Sequence, residues 1–76
     1  MIRLSQIKAG ERVEVLDIPK RCPLRMTLRQ YGITPGSILS CRYCSPGEEL
    51  AALEYEGSVV ALRLSELSEI TVRYCP

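Results

Sequence analysis

The residues best equipped for chemistry in this 76-residue chain are its four cysteines. Cys41 and Cys44 form a Cys-x-x-Cys unit, the spacing shared by half a zinc site and by dithiol redox centres. Cys22 and Cys75 stand alone, so no second unit completes a four-thiolate set. The run SILSCRY that leads into the pair reads as a strand in which Leu39, Cys41 and Tyr43 share the core side. Side chains alternate along a strand, so Cys44 then points to the opposite face. The segment CRYC holds no glycine that would turn the chain sharply. The spacing therefore predicts two separate free thiols, with Cys41 and Cys44 as the sulfur candidates should a metal bind and no cofactor or metal expected.

The carboxylates are a second possible ligand set. Glu48, Glu49, Glu54, Glu56, Glu66 and Glu69 all lie in the second half of the chain. Glu54 and Glu56 share one strand face, which admits a two-oxygen site, but runs of like charge ordinarily form a solvated face. Histidine is absent, which removes the commonest general base and the commonest metal ligand together. Serines are present, yet nothing pairs a nucleophile with a base and an orienting group, and no glycine-rich loop cradles a phosphate. The expectation is a protein without catalytic activity.

A third group is basic and surrounds a helical pattern at residues 23–31. Leu24, Leu28 and Tyr31 fall at i, i+4 and i+7 with Thr27 beside them, forming one apolar stripe. At 100° per residue Met26 lies opposite that stripe, between Arg29 and Gln30. Lys20, Arg21 and Arg25 crowd the N-terminal end, where the helix dipole disfavours cations. A local rule broken without evident compensation points to function. Arg21, Arg25, Met26, Arg29 and Gln30 are therefore the candidate partner-binding residues.

The elements that must position these groups follow from the same reading. Pro23 suits a first helical turn, Gly32 fits the left-handed C′ position, and Pro35 forbids continuation. Gly36 then completes the corner YGITPGS. Before the helix, alternation in RVEV changes parity after Val15, which marks a bulge. After it come strands in SILSCRY, LAALEY, SVVALRL and EITVRY. Glu56-Gly57 serves as a two-residue hairpin turn. Val60, Leu62 and Leu64 share a face, and Ser65 caps a single helical or 3₁₀ turn. About five short strands, one small helix and one extra turn make an all-β domain, and such chains curl into small barrels to protect their edges.

Size and composition agree with one domain over residues 1–76. A chain this short buries only about 60% of its unfolded surface. Its 46% hydrophobic and 25% charged residues are ordinary globular values. No signal-peptide core and no stretch of about 20 apolar residues appears, so the chain is expected to be cytoplasmic, not inserted in a membrane, with its cysteines reduced. Net charge is +1, which argues against nucleic-acid binding. The excess is local: residues 1–43 carry eight Lys or Arg and three Asp or Glu, whereas residues 44–76 carry two and six.

The motifs then resemble a known family. LSQIKAGE at residues 4–11 is similar to an opening L-x-x-L-x-x-G, with Ile7 at the second leucine. Leu24-Arg25-Met26-Thr27-Leu28 and YGITPG resemble the central LR-x-x-L-x-x-x-G-[LI]-x-PG. Ser45-Pro46-Gly47 resembles a shortened P-x-G-x-P loop lacking its second proline. Ala61-Leu62-Arg63 resembles [IV]-ALR, followed by the closing Ile70-Thr71-Val72. The ordered set resembles the FeoA family of ferrous iron transport proteins. The resemblance implies an SH3-like small β-barrel and an accessory role beside FeoB, the membrane ferrous iron transporter with a cytoplasmic GTPase domain. It also implies that Leu24, Leu28, Gly32, Pro35 and Gly36 are structural and that Cys41 replaces an apolar strand residue.

Two functional readings follow. The first is an adaptor that binds and modulates the cytoplasmic region of a FeoB-type transporter. The alternative is a cysteine-based domain that binds or senses a transition metal. A small RNA-binding barrel is a weaker third reading, because it needs a stacking platform and this chain has neither Phe nor Trp.

Overall fold

The computed structural model describes residues 2–47 and 49–76. Among these residues six strands occur, in the order β1 (Ile2–Arg3), β2 (Arg12–Asp17), β3 (Ile38–Cys44), β4 (Leu50–Tyr55), β5 (Ser58–Arg63) and β6 (Thr71–Tyr74). One helix, α1 (Arg25–Gln30), joins β2 to β3. All pairings are antiparallel, in the spatial order β1-β6-β2-β3-β4-β5. This is the small all-β, SH3-like architecture expected, with one strand more than the pattern predicted. The addition is β1, whose two residues pair Ile2 with Val72 and Arg3 with Thr71. Two residues are too few to display a period, so only its partner strand defines it.

The core sits under the curled sheet. Leu4, Val13, Leu39, Leu53, Leu67 and Val72 are each fully buried, drawn from four strands and from both 3₁₀ turns. Burial of this kind contributes roughly 1.5–3 kcal/mol per side chain, so the small core relies on every member. The turns are Leu4–Gln6 and Leu64–Leu67, and they pack on one another. Only the second was expected, and its start differs. Arg63 occupies the cap position and makes no side-chain bond there, while Ser65 lies inside the turn and caps nothing.

The first bulge lies where the parity switch placed it. Val15 pairs with Val72 and Asp17 with Thr71, leaving Leu16 as the extra residue. A second bulge, in β3, was not anticipated. Cys41 pairs with Leu53, Tyr43 with Ala52 and Cys44 with Ala51, so Arg42 is extra. One inserted residue reverses the faces of everything after it. Tyr43, expected in the core, is 56% exposed. Cys44, expected outside, turns inward and packs half-buried against the core.

The β4–β5 hairpin closes on Tyr55 paired with Ser58. Its turn residues Glu56 and Gly57 both have positive φ, 48° and 84°, as a type I′ turn requires. Glu56 therefore lies in the turn and not on the strand beside Glu54, whose carboxylate is ion-paired with Arg42. That removes the two-oxygen site. Glu48 lies outside the described residues, and Glu49 is exposed.

Candidate docking face

The helix is shorter than the sequence predicts. Cys22 N–H bonds to the Pro19 carbonyl at 3.0 Å and Arg25 N–H to the Cys22 carbonyl at 3.1 Å, so Pro23 and Leu24 belong to the turn leading in. Leu24 is the N-cap residue, with no side-chain cap. Within α1 only Leu28 is fully buried, and Leu24 packs partly against the core. Tyr31 was expected on the packing stripe, but it is the C-cap residue and 44% exposed. Ile33, beyond the reversal, takes its place in the core.

The reversal is built on hydrogen bonds. Ile33 N–H donates to the Leu28 carbonyl and Gly32 N–H to the Arg29 carbonyl, each at 2.9 Å. With Gly32 at φ 83° these form a Schellman motif, and the buried pair Leu28 and Ile33 supplies its apolar contact. A Cβ on Gly32 would stand 3.6 Å from the Tyr55 ring, an ordinary contact, so the glycine is required by conformation and not by space. Beyond it, Gly36 N–H donates to the Val15 carbonyl at 2.8 Å and Val15 N–H to the Ser37 carbonyl at 2.9 Å. Thr34 N–H bonds to the Ser37 hydroxyl at 3.0 Å. The corner thus ties the helix to β2 and fixes its outward side.

That outward side holds most of the candidate residues. Met26 is 65% exposed, and Gln30 and Arg29 are exposed beside it. Arg25 and Arg29 line a shallow groove of about 220 Å³ with Ile18, Ile33, Thr34 and Pro35. Among the described residues, ion pairs join Arg21 to Glu69, Arg42 to Glu54 and Arg73 to Glu14, and neither Arg25 nor Arg29 takes part. The structure therefore brings Arg25, Met26, Arg29 and Gln30 together. It sets Arg21 apart: its Nε donates to Glu69 Oε2 at 2.7 Å, with Nη2 at 2.6 Å, on the side that faces Arg3 and Asp17. Sequence reading missed Ile18 and the floor it forms with Ile33. The apolar residue after Asp17 was its only local signal.

The thiols form a second, separate constellation. The β3 bulge turns Cys44 beneath the strand, so its Sγ lies 3.5 Å from Cys41 Sγ. Cys44 also donates to the Ile7 carbonyl, and Cys41 to the Tyr43 carbonyl, both at 3.7 Å. Burial, and then the adjacent Cys44, push the Cys41 thiol up to about 11. Among the described residues no third Cys, His, Asp or Glu joins them as a metal-holding group.

The FeoA domain family matches residues 2–74. Comparison with curated proteins finds no match. Among solved structures, a FeoA-like protein from Clostridium acetobutylicum is 25% identical, with 99% of this chain and 87% of that one covered at a TM-score of 0.85. The FeoA protein from Chlorobium tepidum is 27% identical, covering 99% and 71% at a TM-score of 0.86. The zinc complex of Stenotrophomonas maltophilia FeoA, described as a prokaryotic SH3 domain protein, shares the fold at a TM-score of 0.75 and 22% identity, covering 95% and 89%.

Proposed function

This chain belongs to the FeoA family, associated with ferrous iron transport, and from that premise we propose that it is a non-catalytic accessory that docks on the cytoplasmic region of a FeoB-type transporter. The observation that supports this reading is the outward side of α1. A flexible methionine stands 65% exposed on a helix whose angle is fixed by its C-terminal corner, beside two arginines engaged in no ion pair among the described residues. Such a surface suits an acidic partner with a hydrophobic notch, the methionine filling the notch and the arginines steering the approach. Arg21 contributes less than its neighbours, since Glu69 already neutralises it. No described helix is long and apolar enough to cross a membrane, and the adaptor reading places the protein at the cytoplasmic side of the transporter.

The test is a titration of variants against the transporter's cytoplasmic domain. Met26→Ala weakens binding by about 1–2 kcal/mol with folding little changed, as expected of an exposed anchor. Charge reversal at Arg25 and Arg29 mainly slows association, and the difference grows as salt falls. If both variants bind like the parent chain, the docking face lies elsewhere.

A further inference from the structure

The paired thiols play no part in the docking reading, and their geometry suits a chemistry of its own. A regular strand separates residues three apart onto opposite faces. Here the extra residue Arg42 cancels that separation, and the two sulfurs meet 3.5 Å apart under β3. A disulfide bond is about 2.0 Å long, so closing the gap needs about 1.5 Å of side-chain movement. The two thiols are unequal. Cys41 is 2% exposed, whereas Cys44 is only half-buried and can be reached from solvent. We propose that Cys41 and Cys44 form a dithiol site which a low-molecular-weight disulfide such as oxidised glutathione converts reversibly into a Cys41–Cys44 disulfide.

The chemistry runs in two exchanges. Cys44 gives its proton to water, and its thiolate attacks one sulfur of the small disulfide. A Cys44 mixed disulfide forms, and one small thiolate leaves and takes up a proton. Cys41 then loses its proton and attacks the Cys44 sulfur, which forms the internal bond and expels the second small thiol. Two protein thiols are oxidised, one small disulfide is reduced to two thiols, and the atoms balance. The order follows from the surroundings: the buried Cys41 thiol is held up to about 11, chiefly by desolvation and then by Cys44. Cys44 is therefore the attacking group and Cys41 the resolving one. Once Cys44 is capped, its contribution to holding the Cys41 proton is gone, which favours the second step.

Arg42 makes the experiment direct. Trypsin cuts after Arg29, Arg42 and Arg63, which places Cys41 on peptide 30–42 and Cys44 on peptide 43–63, each with a single cysteine. The native protein is exposed to oxidised glutathione, blocked with an alkylating agent, denatured, digested and weighed by mass spectrometry. The expected product is peptides 30–42 and 43–63 joined by one disulfide, released by reductant, with the Cys44 mixed disulfide a minor species. Cys41→Ser should instead accumulate the mixed disulfide on Cys44, and Cys44→Ser should leave Cys41 unreacted. The proposal is overturned if the parent chain stops at the mixed disulfide, or if the link runs to Cys22, to Cys75 or to another chain. It is equally overturned if both thiols stay unreacted because anaerobically purified protein carries a bound metal on them, measured by elemental analysis.

Discussion

The corner after α1 and the far end of β3 both interrupt regular structure, and they do so by different means. At the corner every irregularity rests on a residue type: Gly32 and Gly36 hold φ of 83° and 99°, and Pro35 stands between them. At the β3 bulge no residue type is demanded. Glu56 is the only non-glycine described with positive φ, so neither Cys41 nor Arg42 enters the left-handed region that would call for glycine. The bulge is imposed by pairing with β4, some ten residues further on, where Tyr43 meets Ala52. One device is written in the chain where it acts, and the other is written in its partner strand. Substitutions should therefore be costly at the first and tolerated at the second.

The largest loss is expected at Leu28. It is fully buried, it is the only buried residue of α1, and its carbonyl accepts the closing bond of the corner from Ile33. Leu28→Ala should cost about 2–5 kcal/mol in a denaturant melt, because the small core leaves a cavity where the side chain was. Gly32→Val follows at about 1–2 kcal/mol, through left-handed strain in a β-branched residue. Since a Cβ there meets only the Tyr55 ring at an ordinary 3.6 Å, Gly32→Ala should already lose most of what Gly32→Val loses. A wide gap between the two would show that the cost is crowding and not conformation.

The same contrast explains what could be read in advance. Gly32, Pro35 and the Val60, Leu62, Leu64 face were legible, because turn chemistry and strand parity act within a few residues. The parity switch after Val15 was legible because both faces there carry recognisable apolar residues. In β3 the bulge falls at CRYC, where cysteine and tyrosine suit either face, so parity carried no warning. Tyr43 and Cys44 were exchanged as a result. The common outward placement of Arg25, Met26, Arg29 and Gln30 was legible in the helical period. The fate of Arg21 was not, since Glu69 is 48 positions away and only the fold brings them together.

A third effect is absent at neutral pH and appears only in alkali. The Cys41 thiol is raised from 9.0 to about 11, first by burial and then by Cys44. Between those values the unfolded chain has released this proton and the folded chain still holds it. Raising pH then favours unfolding, so the stability contributed by the neutral buried thiol is whole below about pH 9 and lost as pH climbs through 11. Melts of the parent chain and of Cys41→Ala should differ by an amount that shrinks over this window. A difference that stays constant from pH 7 to pH 11 would mean that Cys41 titrates as an exposed thiol does.

The smallest effect is expected at Arg42, the residue that makes the bulge. Its side chain is exposed and its one described contact is the ion pair with Glu54 across the β3–β4 ladder. Exposed pairs of this kind are worth about 0–1 kcal/mol, and less as salt is added. Arg42→Ala should therefore fall in that range. It should also leave the thiols side by side, because the register of Cys41, Tyr43 and Cys44 on β4 is fixed by their own backbone pairing. Amide exchange along β3 and β4 would read this directly, with protection unchanged on both strands. If Arg42→Ala instead costs as much as Gly32→Val, or if β3 slips in register so that amide protection along β3 and β4 is lost, then the bulge depends on its own side chain. The distinction between a corner fixed by residue type and a bulge fixed by pairing would then fail.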